Sequence, residues 1–91
     1  MSAFARRLKV NKVDAFTIDV SNWISGETIT SLTVTEPTTG LTSIGASSID
    51  GSNLTVLLTG VATGAAQIHF DYTTATRSDC YESIVIVVDD C

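Results

Sequence analysis

Apolar and polar side chains alternate with a period of two through most of this chain. No stretch of ten or more residues repeats them at the i, i+3, i+4, i+7 spacing of an amphipathic helix. In residues 15–20, Phe16, Ile18 and Val20 share one face and Thr17 and Asp19 the other, which predicts a half-buried strand. The segment SNWISGE (21–27) breaks that pattern and holds the single tryptophan. Ser21 is placed to cap one helical turn, Trp23 and Ile24 to fold back over the open end of the fold, and Gly26 to free the chain for re-entry. In residues 28–36, Ile29 is out of phase with Leu32 and Val34, so a bulge or a change of face is expected near Thr30 and Ser31. Pro37 and Gly40 then mark a turn.

Leu41–Ser47 reads as a weak strand, and Asp50-Gly51 is a strong turn signal. Leu54, Val56 and Leu58 define the inward face of the next strand, which Gly60 ends. After Gly64, Ala66, Ile68, Phe70 and Tyr72 share a face opposite Gln67, His69, Asp71 and Thr73, the clearest amphipathic strand in the sequence. TATRSD makes a hairpin loop, and YESIVIVVD forms the last strand, apolar on both faces over residues 84–88. A strand apolar on both sides implies a partner on its outer face, either another sheet or another chain. Six or seven short strands with turn signals between them predict an all-β chain folded as a small antiparallel β-sandwich.

Ninety-one residues support one domain with a modest core. The 14 Thr and 10 Ser favour pleated, half-buried surfaces. The net charge of −5 is unevenly spread. Arg6, Arg7, Lys9 and Lys12 are four of the five basic residues and no acid precedes Asp14, so residues 1–12 carry +4; ten acids against Arg77 leave −9 on residues 13–91. The expected organisation is therefore a basic N-terminal arm, 1–12, flexible or docking, on a sandwich domain, 13–91. A basic arm on an acidic body suits docking onto an acidic protein; nucleic acid is less favoured, and a solvated tail is the bland alternative.

Candidate chemistry is sparse. The single histidine, His69, is expected on a polar strand face, no serine sits in G-x-S-x-G, and no Cys/His/Asp grouping follows from spacing. Asp89, Asp90 and Cys91 are adjacent and suit charged strand ends better than a metal site. Gly60 and Gly64 join two strands and do not open a helix, so no phosphate loop is expected. No enzyme activity, metal or cofactor is expected. Cys80 and Cys91 flank a strand that would hold them about 36 Å apart at roughly 3.3 Å per residue, against about 7 Å for a disulfide. Reduced thiols suit assembly in a cytoplasm. Neither a signal peptide nor a membrane span is expected.

Three segments, NKVDAFTIDVSNWISGETITSLTV, GLTS and LTVLLTGVATGAAQIHFDYTTATRSDCYESIVIVV, together resemble a family of small bacteriophage proteins described as fibre-tail adaptors, or Ig-like virion proteins. The order is a strand ending in I-D, a W-containing turn, G-E-T-I, a strand, V-x-L-x-G-x-x-x-G with a long strand, and a final Ile/Val strand, over residues 11–88. Val20 stands where the family often has an aromatic, and Thr76-Arg77-Ser78-Asp79 where a Gly-Arg turn is common.

The resemblance implies an Ig-like sandwich that is a structural part of a virion, assembled in the host cytoplasm, with no catalytic site to carry over. Its expected partners are other virion proteins of the capsid shell, tail or fibres, in a symmetric multimer on the particle. A fibre-tail adaptor with two interfaces and a capsid decoration protein with one are both compatible with it. Partner-docking residues are expected at Phe4, Arg6, Arg7, Leu8, Lys9 and Lys12, the cations pairing with acidic surfaces and the apolar pair burying area as the arm orders. Trp23 is expected as a core lid, a partner anchor, or both. The reading of a different class is a free-standing carbohydrate or host-surface binding module, whose mark would be clustered exposed aromatics; Trp23, Tyr72 and Tyr81 show no such clustering in the sequence.

Overall fold

A computed structural model describes residues 5–89. The elements run β1 (Ala5–Lys9), β2 (Val13–Asp19), α1 (Ser21–Ile24), β3 (Ser31–Thr35), β4 (Thr42–Asp50), β5 (Asn53–Gly60), β6 (Gly64–Thr73) and β7 (Ser78–Val88). They form a four-stranded sheet, β1-β7-β6-β3, facing a three-stranded sheet, β2-β5-β4. The chain changes sheet between β1 and β2, β2 and β3, β3 and β4, and β5 and β6; β4–β5 and β6–β7 are hairpins within a sheet. α1 is the second of those crossings, which explains why the longest polar break before β3 carries apolar side chains: it caps the end of the core while changing sheets.

The period-two faces meet as expected. Phe16 and Ile18 of β2 lie opposite Val56 and Leu54 of β5, and all four are buried. Ala66, Ile68, Phe70 and Tyr72 of β6 and Val85 and Val87 of β7 close the core from the other sheet. Fully burying each large aliphatic or aromatic side chain contributes about 1.5–3 kcal/mol. Leu54, Val56, Leu58, Ile68 and Phe70 are its centre.

Three local expectations change. The irregularity expected at Thr30 and Ser31 lies instead in β4, where Gly45 and Ala46 stand opposite the single residue Leu57. A Cβ on Gly45 would sit 3.0 Å from the Leu57 carbonyl oxygen, so a small residue belongs at the bulge. Ile29 is buried because it precedes β3 and follows α1 under the end of the core, not because β3 changes face. Ser21 does not cap α1; it is the first helical residue, and its N–H donates to Asp19 Oδ1 at 2.9 Å.

The largest difference concerns the arm. Residues 5–9 are β1, paired in parallel with β7 over Ala5↔Ile84 to Lys9↔Val88, so the sandwich has one parallel pair and gains an edge strand. Over these residues no boundary at residue 12 separates an arm from a body. Leu8 supplies the reason: opposite Val87 it is 3 % exposed and belongs to the core.

Candidate docking surface

β1 alternates like any strand. Leu8 points inward, while Arg7 and Lys9 stand on the outer face beside Ile86 and Val88. The turn that follows is held by backbone bonds: Val10 N–H to Val88 O, Asn11 N–H to Gly60 O, Lys12 N–H to Lys9 O, and Gly60 N–H to Lys12 O. Asn11 takes the left-handed φ of 66° that closes the turn, a conformation Asn tolerates well. Lys12 is thereby returned beside Lys9. The result is a concavity of about 300 Å³ lined by Arg7, Leu8, Lys9, Lys12, Val13, Asp14 and Val88.

Gly60 is what lets β1 come this close. A Cβ there would lie 2.4 Å from the Lys9 carbonyl oxygen and 2.9 Å from its carbon, both backbone atoms. Gly60→Ala is therefore expected to push β1 off the corner and to cost about 1–3 kcal/mol, the range for overpacking a closed site. Urea unfolding of the variant measures this, and a Gly60→Ala midpoint equal to the wild type would contradict the close approach.

The other residues expected on the docking arm go elsewhere. Arg6 reaches across the open edge of the sandwich: its guanidinium carbon lies 5.8 Å from the Phe16 ring centroid and its Nη2 donates to Thr17 O at 2.8 Å. It clips the two sheets together. Leu8 is spent in the core. Phe4 lies outside the described residues, as does Cys91. Arg7, Lys9 and Lys12 remain exposed.

Of the apolar members of this surface, the sequence marked the outer face of residues 84–88 and not Val13. Val13 is 63 % exposed at its rim. Ile84, Ile86 and Val88 form a half-buried row on the outer face of β7, which no second sheet covers among the described residues. The signal for that row was present in the two-faced apolar pattern of 84–88; the signal for Val13 was not, since its role depends on where the turn puts it.

At the opposite end of the sandwich, Trp23 is half-buried and meets Tyr81 edge-on, centroids 6.0 Å apart at 76°. Tyr81 in turn meets Phe70 edge-on at 6.5 Å, so these rings extend the core. Trp23 and Tyr81 are thus neighbours, which their separation in sequence concealed, while Tyr72 is buried. Arg77 ties the turn to the β6–β7 loop: its Nη1 donates to Trp23 O at 3.0 Å and its Nε lies 3.4 Å from Glu27 Oε1. Thr74 and Thr76 hydroxyls donate to the same carboxylate at 2.6 and 2.5 Å.

Those hydroxyl bonds, Thr74 first, with Arg77 adding attraction, hold the Glu27 carboxyl below its ordinary range against partial desolvation. Asp19 is lowered by the Ser21 N–H and hydroxyl and by Ser52. For Glu36, desolvation pulls upward, but bonds from Thr38, from the Thr42 hydroxyl and N–H, and from Leu41 outweigh it, so its carboxyl is also lowered. A depressed carboxylate stabilises the fold above its unfolded value and stops doing so as pH falls through its folded value. Tm is therefore expected to hold steady at neutral pH and to fall as the pH drops below about 4.5, the ordinary glutamate value. Thermal scans from pH 6 to 2.5 check this; Glu27→Gln is expected to flatten the acid limb, and an unchanged limb would remove Glu27 from it.

His69 Nε2 lies 3.0 Å from Glu82 Oε2 across the outer face of β6 and β7. Cys80 is exposed, yet partial desolvation and then the Asp71 carboxylate push its thiol up, which keeps it protonated and slow to react. Among the described residues no three His, Cys, Asp or Glu side chains converge as a metal site, and no helix is long and apolar enough to cross a membrane.

Two facing sheets with this strand order, joined by crossings between sheets, define an immunoglobulin-like β-sandwich, here carrying a basic and partly apolar corner. Residues 9–87 match the family described as podophage GP4 fiber-tail adaptor protein gp77, and the chain belongs to that family. It is accordingly a phage structural protein of the fibre-tail adaptor kind. No curated protein gives a match.

Solved structures share the fold. Domains 4 and 5 of the S-layer protein SbsC align with a TM-score of 0.66 at 21 % identity, over 96 % of this chain and 42 % of that one. The cysteine protease inhibitor EhICP2 of Entamoeba histolytica gives 0.60 at 13 % identity, over 94 % of this chain and 86 % of that one. An endo-fucoidan hydrolase of glycoside hydrolase family 107 gives 0.66 at 16 % identity, over 98 % of this chain and 13 % of that one. The chain thus spans less than half of the first structure. Identities this low speak for the fold alone.

Proposed function

We propose that this protein is a non-enzymatic fibre-tail adaptor, a rigid block that seats on the phage particle through the corner formed by Arg7, Lys9 and Lys12. The observation that carries the reading is the meeting of those three cations with exposed Val13 and the Ile84, Ile86, Val88 row on one side of the sandwich. Charges select and orient an acidic surface, and the apolar row supplies area to bury. Copies repeated by the symmetry of the particle turn a weak contact into a firm one.

An adaptor needs a second surface, and the long axis of 43 Å provides one. Far from the basic corner, α1 and the β4–β5 turn enclose a concavity of about 340 Å³ bordered by Ser21, Ile24, Gly26, Thr28 and Ser52. Trp23, packed edge-on against Tyr81, stiffens that end and is not a flat exposed platform of the kind a sugar-binding module presents. Counting copies against the major shell protein by quantitative mass spectrometry of purified particles tests the reading. About a dozen copies per particle is the expected result. Hundreds of copies would replace the adaptor with a capsid decoration protein, and absence from particles would favour a free host-surface binding module.

A further inference from the structure

The open edge of β1 is the feature that the docking surface leaves unexplained. β1 pairs only with β7, and among the described residues no strand lies on its other side. Val10 N–H donates to Val88 O, so by strand alternation Leu8 and Arg6 direct their backbone groups toward β7, and the N–H and C=O of Arg7 face the open edge. Basic side chains normally guard such an edge against indiscriminate pairing. Arg7 and Lys9 stand two residues apart on one face, directly over the concavity, and Asp14 is the one acid among the described residues that line it. A strand bearing acids at alternate positions meets attraction where other strands meet repulsion.

We propose that the edge of β1 accepts an extended acidic segment of another virion protein as an added strand of the four-stranded sheet. Acidic residues at positions i and i+2 of the segment lie opposite Arg7 and Lys9, and apolar residues between them turn inward beside Leu8 and the aliphatic stem of Arg6, whose guanidinium already covers Phe16. Main-chain bonds to Arg7 supply register, and the alternating charge supplies selectivity. The inference rests on docking through the basic corner and specifies how that docking is made.

The test uses the full chain labelled with ¹⁵N and two peptides, acetyl-Glu-Val-Glu-Val-Glu-amide and its Lys-Val counterpart. The acidic peptide is expected to slow hydrogen exchange at the Arg7 amide and to bind about tenfold or more tightly than the basic one, as two opposite-charge cross-strand pairs replace two repulsive ones. Arg7→Pro, which removes the edge N–H at a position an edge strand tolerates, is expected to abolish binding of the acidic peptide, whereas Arg7→Ala weakens binding and keeps the protection at the residue-7 amide. Ordinary thermal unfolding of both variants establishes that each is folded. Protection that arises without peptide and scales with protein concentration makes a second copy the occupant and overturns the proposal. So does acidic-peptide binding that leaves the Arg7 amide unprotected, or equal binding of the two peptides. If particles nonetheless exclude a variant in which Arg7, Lys9 and Lys12 are all replaced by Glu, docking through that corner stands and only strand addition falls.

Discussion

Deleting residues 2–9 is expected to destabilise the domain by at least about 2–5 kcal/mol, the cost of emptying a buried leucine site alone. Leu8 is 3 % exposed in the core, and five residue pairs join β1 to β7. Removing the strand exposes the flank of Val85 and Val87, unpairs one edge of β7 and takes away the Arg6 clip to Phe16 and Thr17. Domains of this size have about 5–15 kcal/mol in hand altogether, so the truncated protein should sit near its unfolding midpoint. A basic arm that merely docks would leave stability unchanged, which is the expectation that charge distribution alone supports. Urea unfolding separates the two: an unchanged midpoint in the truncated chain would return residues 5–9 to the status of an appendage. Failure of a truncated protein to enter particles, by itself, says nothing about docking.

The cleaner probe of docking leaves the strand in place and reverses its exposed charge. Arg7→Glu, Lys9→Glu and Lys12→Glu together change three exposed outer side chains and none in the core. The fold is expected to survive, with a Tm near that of the wild type. Incorporation into particles is expected to fall at least about tenfold, because like charges facing one another across an interface cost several kcal/mol. Arg77→Glu is the matched control at the other end, where Arg77 serves the Trp23 turn through its carbonyl and Glu27. It is expected to lower stability with a smaller effect on incorporation per folded molecule. Particle incorporation of both variants, normalised to soluble folded protein, reads the difference.

How far the sequence carried the structure depends on where the deciding contacts lie along the chain. The strands with apolar residues at alternate positions, Phe16 and Ile18, Leu54 to Leu58, and Ala66 to Tyr72, are legible because their own side chains state which face is inward. β1 is not, because ARRLK offers one apolar inward residue among cations and its partner strand lies at the far end of the chain. Leu8 becomes a core residue only once Val87 is known to be beside it. The bulge in β4 is silent for a related reason: Gly45, Ala46, Ser47 and Ser48 are too small or too polar to show a break in phase.

The proposed docking surface divides along the same line. Arg7, Lys9 and Lys12 were visible as charge. Arg6 was indistinguishable from them in sequence, yet its guanidinium reaches over Phe16. Val13 and Val88 enter only because the turn pinned on Gly60 folds Lys12 back beside them. Trp23 drew attention by residue type, and the structure gives it a neighbour, Tyr81, and a tether, Arg77, that no local pattern announces.

Lys9 and Lys12 are the two lysines of the chain, and both border the proposed docking corner. Amine labelling with mass-spectrometric readout therefore reports on that corner with little background, in the free protein and in intact particles alike. The account predicts that both lysines label readily in the free protein, become protected in particles, and cross-link there to an acidic segment of another virion protein. Equal labelling of both lysines in free protein and particle would contradict it.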